Sequence, residues 1–461
     1  MSNFENNNLP LNSGTSAQTN VQQKGLVSKL KWVGPGLIVA SAAVGSGEII
    51  NATRLGAIAG FAVLWVLVWG IFLKGFIQQE IGRYTLMTKK TITEGFADIP
   101  GPKIKGKSWF LWVFLILLAL VVLVIIAGIG GAVGGTLHVL FPAISASTWG
   151  VIANICYLPI LLSGIFLPKL NVYAVVEKIM MLIVIGLTLF MVYIAFIAIP
   201  QSEQFSYSIV DLFKGMTFSL PEGSVLISLA VLGSVGAGIE LIYYSTWILS
   251  KGYVNNAHIE DSNEAKKHER IKFWFSVLKL DTWIGTTVTF IVTLAFFITG
   301  TVVLGAAGEV PDGVNVVEKI SVVFTDVLGP GYFVVFMIGA LAGLATTALG
   351  IADGTARMVI DLRNEFTKKE TTTTSFNKLY TVSVVAVIFA WIIFYMFISA
   401  PTFLITIGTA ALSLMFPLYG VALLYLNRQV PEQYRMHWII KVILVICFIL
   451  FTSLWFVGEL F

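Results

Sequence analysis

Eleven separate runs of predominantly apolar residues recur along this 461-residue chain, each about 20 residues long or longer, and that recurrence excludes most folds at once. A helix rises about 1.5 Å per residue, so about 20 apolar residues cross a hydrocarbon core of roughly 30 Å. The composition agrees: 57% of residues are hydrophobic and 12% charged, against roughly 25% charged in an ordinary soluble domain. With a bilayer as solvent, every backbone N–H and C=O must be satisfied within its own segment, which makes each run a helix. The predicted fold class is therefore all-α integral membrane, with about 11 transmembrane helices. The spans are expected at about 33–57, 61–87, 108–137, 147–167, 171–199, 224–250, 271–303, 331–356, 378–399, 402–426 and 437–458.

The distribution of charge orients these spans, because short cytoplasmic loops collect Lys and Arg. Lys24, Lys29 and Lys31 precede the first, and Lys89, Lys90, Lys103, Lys105 and Lys107 follow the second. Lys169, then Lys251, Lys266, Lys267 and Arg270, then Arg363, Lys368 and Lys369, and finally Arg428 and Arg435 occupy later connections on the same side. The opposite loops hold Glu203, Asp211, Glu222, Glu309 and Asp312, with Lys214 and Lys319 as their basic residues. The expected topology places the amino terminus in the cytoplasm and the carboxyl terminus outside, in a plasma or inner membrane. The charged stretch 251–272 reads as a solvated linker helix.

Several features point away from other functions. Cys156 and Cys447 both fall in spans, so neither a disulfide framework nor a thiolate metal site is indicated. The glycines 128, 130, 131, 134 and 135 lack the spacing and the preceding strand of a phosphate cradle, and read as a small-residue packing face. Residues 1–30 are rich in Asn, Ser, Thr and Gln without an apolar core, and read as a disordered tail. No pairing of Ser with His, and no His-Glu metal motif, appears in the spans, so an enzyme is not expected. The four histidines fall at loops or helix ends, and nothing suggests a nucleic-acid partner.

Two spans are interrupted. In the first, Val44-Gly45-Ser46-Gly47-Glu48 sets two glycines and then a carboxylate near the bilayer midplane, and in the sixth Val235-Gly236-Ala237-Gly238-Ile239-Glu240 does the same. Glycine-interrupted segments at matching places in two halves mark transporters built from inverted repeats, with the site where the breaks meet. Residues 31–200 would form the first repeat, 201–430 the second and 431–461 an appended helix, a LeuT-like 5+5 arrangement with broken helices 1 and 6. A broken helix leaves carbonyls without donors, and each unsatisfied group in hydrocarbon costs several kcal/mol unless an ion or a partner satisfies it. With Glu48 and Glu240 added, a cation is the expected occupant. Unwinding is predicted at 45–47 and 236–238.

From Gly34-Pro35-Gly36 through the first break to Leu55-Gly56-Ala57, then Leu64-Trp65-Val66-Leu67 and on to Gln78 and Arg83, the chain resembles the first two helices of the Nramp metal-ion transporter family. The likeness continues around Leu232-Gly233-Ser234 and from Gly343 to Arg357, and covers most of residues 30–426. It implies a transporter of divalent metal cations working by alternating access, with the metal as cargo and no resident cofactor. The departures from the family pattern are specific. Gly45, Ser46, Gly47 and Glu48 stand where the family has Asp-Pro-Gly-Asn, and Ala237, Gly238, Ile239 and Glu240 stand where it has Met-Pro-His followed by Asn. The third span, which supplies the family's acidic residues for proton movement, has no Asp or Glu between Trp109 and His138. The chain thus resembles the Nramp-related branch that includes magnesium transporters.

These departures direct the chemistry. Without the thioether, a site of carboxylates and carbonyls suits hard ions such as Mg²⁺ and Mn²⁺. The candidate metal-site residues are Glu48, Glu240, Gly45, Ala237 and Asp281, and the small residues would leave room for the waters that Mg²⁺ keeps. Asp281 could reach the site or pair locally with Lys279; Asp353 is expected to pair with Arg357, four residues on. Lys74, in the middle of the second span, could neutralise a carboxylate of the site or pair elsewhere. Passive or only weakly proton-linked uptake is expected. The alternative is a small organic solute, cationic or amino-acid-like, carried on the same fold.

Overall fold

The computed structural model describes residues 25–166, 172–260, 262–367, 372–398 and 400–457. Most of the expected tail, together with Lys24, Lys169, Lys368 and Lys369, lies outside the described residues. The chain is almost entirely helical. Its main helices are α1 (Pro35–Ala43), α2 (Thr53–Ala59), α3 (Leu64–Thr88), α4 (Trp109–Leu140), α5 (Ala146–Phe166), α6 (Val172–Tyr193), α7 (Val225–Ser234) and α8 (Glu240–Ser250). They continue with α9 (Glu264–Thr299), α10 (Val316–Leu328), α11 (Phe333–Thr367), α12 (Thr373–Phe397), α13 (Pro401–Ser413), α14 (Met415–Leu426) and α15 (Trp438–Val457).

Nine helices among the described residues are long and apolar enough to cross a membrane, against the eleven spans expected. The difference falls on the two interrupted spans. The first is divided between α1 and a segment that runs on into α3, and the sixth consists of α7 and α8, each too short to count alone. A second departure concerns the charged stretch 251–272. It divides into a short helix, Tyr253–Ala257, and the first turns of α9, which Asn263 caps by accepting from the Ala265 N–H at 2.9 Å. The one sheet described is a two-residue hairpin in the basic loop after α3, with Ile104 opposite Lys107. Lys105 and Gly106 between them have φ of 50° and 78°, the positive values that a tight two-residue turn requires.

The bundle is held by close helix contacts. α7 packs along α13, and α13 along α4. The glycine face of α4 behaves as expected: a Cβ on Gly128 would lie 2.8 Å from the Ile405 backbone nitrogen, and one on Gly134 2.3 Å from the Ala146 carbonyl oxygen. Large apolar side chains such as Ile116, Leu120, Leu182, Leu189 and Phe389 point outward, as a bilayer solvent requires. Inside, every residue from Val44 to Thr53 and from Ile227 to Ser245 is buried, so both breaks are closed off from either side in this conformation.

Candidate functional site

The first break is tighter than the sequence suggests. α1 ends at Ala43, the chain turns through Val44 and Gly45, and Ser46–Ala52 then winds as a π-helix that continues into α2. Of the three positions expected to unwind, only Gly45 does, because the Ile49 N–H already donates to the Gly45 carbonyl at 2.9 Å. Single π turns inside helices recur at functional sites. The second break is wider. α7 ends at Ser234, Val235 is extended, Gly236 sits at φ 83°, and α8 begins at Glu240. The positive φ at Gly236 is one that glycine adopts at no steric cost.

The two breaks face each other through Glu48. Its Oε1 accepts from the Gly236 N–H at 3.4 Å, so a residue of the first break is bound to the backbone of the second, and it lies 3.3 Å from the Thr293 hydroxyl of α9, whose proton also faces the Thr289 carbonyl at 2.8 Å. Its Oε2 is buried and has no hydrogen-bond partner. Three residues on, the Asn51 amide donates to Ser234 Oγ at 3.1 Å and to Thr409 Oγ1 at 3.0 Å. Both hydroxyls are themselves donors to helix carbonyls, Ala230 and Ile405, so they can only accept from Asn51. That fixes the amide and leaves Asn51 Oδ1 buried without a donor. Two oxygens on one wound segment, one from a carboxylate and one from an amide, are therefore buried without protein partners, where an unmade bond is costly. Oxygen ligands of this kind suit a hard cation.

The other expected site residues are placed differently. Glu240 lies in the second break, but its Oε2 accepts from the Gly238 N–H at 2.8 Å, so it is tied back to the unwound backbone just before its own helix. Gly45 and Ala237 line the two breaks and bring no donor side chain. The glycines do not leave room for water. A Cβ on Gly45 would meet Thr347 Oγ1 at 2.0 Å, one on Gly47 would meet Ser234 at 3.1 Å, and one on Gly236 would meet Ile71 at 3.0 Å. Their smallness lets neighbouring helices close onto the breaks.

Asp281 stands apart from this group. Its carboxylate accepts from the Gly34 and Gly36 N–H groups, each at 2.7 Å, and from the Tyr244 hydroxyl at 3.1 Å. It is the cap of α1, about 14 Å along the helix from Gly45 at 1.5 Å per residue. Lys279 does not pair with it, and lies instead over the Phe275 ring at 4.5 Å. Asp281→Ala should therefore lower stability by about 2 kcal/mol through loss of the cap. Cation affinity should stay within about threefold, since distant sites without shared partners act independently. Thermal unfolding and calorimetric titration check this; lost binding in a fully stable variant would make Asp281 a ligand.

Asp353 and Arg357 form the expected pair at 2.8 Å, with the Tyr380 hydroxyl on the other carboxylate oxygen at 2.6 Å. Among the described residues no group of three or more His, Cys, Asp or Glu gathers into a ready-made metal cage. Asn51, Thr293, Ser234 and Thr409 were not foreseen. The signal for Asn51 was present, as the one amide in an apolar run just after Glu48.

Comparison with known proteins bears on the family and the fold. The model of the family described as natural resistance-associated macrophage protein-like (Nramp) matches residues 36–457. The divalent metal cation transporter MntH of Erwinia tasmaniensis is 26% identical over 330 residues, 71% of each chain. The protein of the same name from Yersinia pestis is 25% identical over 332 residues, 71% of this chain and 72% of its own. Among solved structures, the Eremococcus coleocola manganese transporter aligns with a TM-score of 0.62 at 16% identity, over 93% of this chain and 86% of that one. Mhp1, a nucleobase-cation-symport-1 family transporter, aligns at 0.51 and 16% identity over 93% of each. At such identities the structures speak for the fold, which is the LeuT-like one. With a family model spanning all but the ends of the chain, this multi-pass membrane protein belongs to the Nramp family.

Proposed function

We propose that this protein carries divalent metal cations across a plasma or inner membrane by alternating access, with hard ions such as Mg²⁺ and Mn²⁺ as its cargo. The observation that carries the reading is Glu48, whose carboxylate spans from one helix break to the backbone of the other and keeps one oxygen unpaired in a closed interior. Glu48 Oε2 and Asn51 Oδ1 are the proposed ligands, and Glu240 supplies further negative charge. Asp281 has no part in the site. The transport of divalent metals by the MntH relatives supports the same class of cargo.

The small organic solute weighed as an alternative is not favoured. The glycines of both breaks meet neighbouring atoms at contact distance, which fits an ion better than a larger molecule. The same proposal puts the amino terminus in the cytoplasm, on the side of the basic loops.

Selectivity follows from the ligands. With Ala237 where the family has its thioether, Mn²⁺ should exceed Mg²⁺ only by the modest trend common to oxygen sites. Competition between the two ions for uptake into proteoliposomes tests this. A preference for Mn²⁺ of orders of magnitude would mean that a nitrogen or sulfur ligand shapes the site. No calorimetric response to Mg²⁺, Mn²⁺ or Ca²⁺ would defeat the cation reading itself.

A further inference from the structure

Lys74 lies in the middle of α3 and is 1% exposed. A lysine so placed cannot carry its ammonium to an interface, so the charge must be satisfied where it is. Its Nζ donates to the carbonyl oxygen of Val235. In an unbroken helix that carbonyl would accept from the N–H four residues on, so the break has freed it and the lysine has taken it. The ammonium also stands over the Phe416 ring, 4.9 Å from its centre. Glu48 and Glu240 are both within Coulombic reach, though neither is in direct ion-pair contact. A freed carbonyl, an aromatic face and two nearby carboxylates are the surroundings of a bound cation, and here the cation belongs to the chain.

We propose that Lys74 is the resident cation of the second break, offsetting one of the two buried carboxylates when no ion is bound. A substrate cation then enters a site less negative than the two carboxylates alone would make it. In a buried interior that difference weighs heavily, because charges interact far more strongly there than in water. The consequence for transport is moderated affinity: the ion is held, and can still be released. The last step rests on the proposed cargo; the resident-cation role does not.

The two parts are tested separately. The first measurement is thermal unfolding of metal-free wild type, Lys74→Gln, Glu240→Gln and the double variant. If Lys74 balances the carboxylates, Lys74→Gln is destabilised and the double variant recovers part of the loss. Additive losses would overturn the proposal. Should Lys74→Gln fail to fold, recovery of folded protein only in the Glu240→Gln background supports it, and failure in both backgrounds overturns it. The second measurement titrates Mn²⁺. Lys74→Gln should bind at least about tenfold more tightly than wild type, with Lys74→Arg close to wild type. Binding by Lys74→Gln no tighter than wild type contradicts the moderating role. If neither protein binds Mn²⁺, the cargo assignment fails, and the metal-free series still decides the role of Lys74.

Discussion

Glu48→Gln is expected to cut divalent-cation uptake by at least about 100-fold while leaving the protein folded. Partners that merely orient a metal's ligands are worth roughly 10–100-fold in affinity, and a ligand carrying the charge should be worth more. Glutamine has nearly the same shape, and its carbonyl can still accept from the Gly236 N–H, the bond that ties Glu48 to the second break. What it loses is the negative charge on the unpaired side. Uptake by reconstituted vesicles, with thermal unfolding as the control for folding, separates loss of charge from loss of structure. Wild-type uptake by a stable Glu48→Gln protein would remove this residue from the site. The same vesicles report on coupling. With no acidic residue between Trp109 and His138, uptake is expected to proceed without matching internal acidification of a trapped pH dye. Acidification that tracks metal uptake in the wild-type protein would overturn uncoupled uptake.

The second large effect is structural. Gly233→Ala is expected to cost at least about 3 kcal/mol, the upper end of what overpacking usually costs. A Cβ at this position would lie 1.7 Å from the Thr409 carbonyl oxygen and 2.7 Å from its carbon. Neither atom belongs to a side chain that could rotate away, so relief requires α7 and α13 to separate. Those two helices also hold Ser234 and Thr409, the acceptors that orient Asn51, so the damage should reach the site. Gly164→Ala is the matched control: it too is helical, and nothing lies within 4 Å of its added carbon. Melting temperature and the fraction of monodisperse protein should fall in Gly233→Ala and hold or rise slightly in Gly164→Ala. Equal behaviour of the two would show that α7 and α13 are not in contact at this point.

Much of the architecture was legible before any coordinates, because it depends on patterns within one segment. Span length follows from the thickness of a bilayer, the matched breaks from glycines beside Glu48 and Glu240, the Asp353–Arg357 pair from a spacing of four on one helix, and the packing role of Gly128 and Gly134 from small residues on one face. The site required contacts that no local pattern encodes. Asn51 is oriented by hydroxyls 183 and 358 residues away, Lys74 reaches a carbonyl 161 residues away, and Asp281 binds the N–H of Gly34, 247 residues before it, at the start of α1. Asp281 and Glu48 look alike in sequence, each a carboxylate in an apolar span. One found free N–H groups at a helix start and is satisfied there; the other found one N–H and a hydroxyl shared with a helix carbonyl, and kept an oxygen unpaired. The segments set which groups are buried, and the packing of distant helices decides which of them are left wanting a cation.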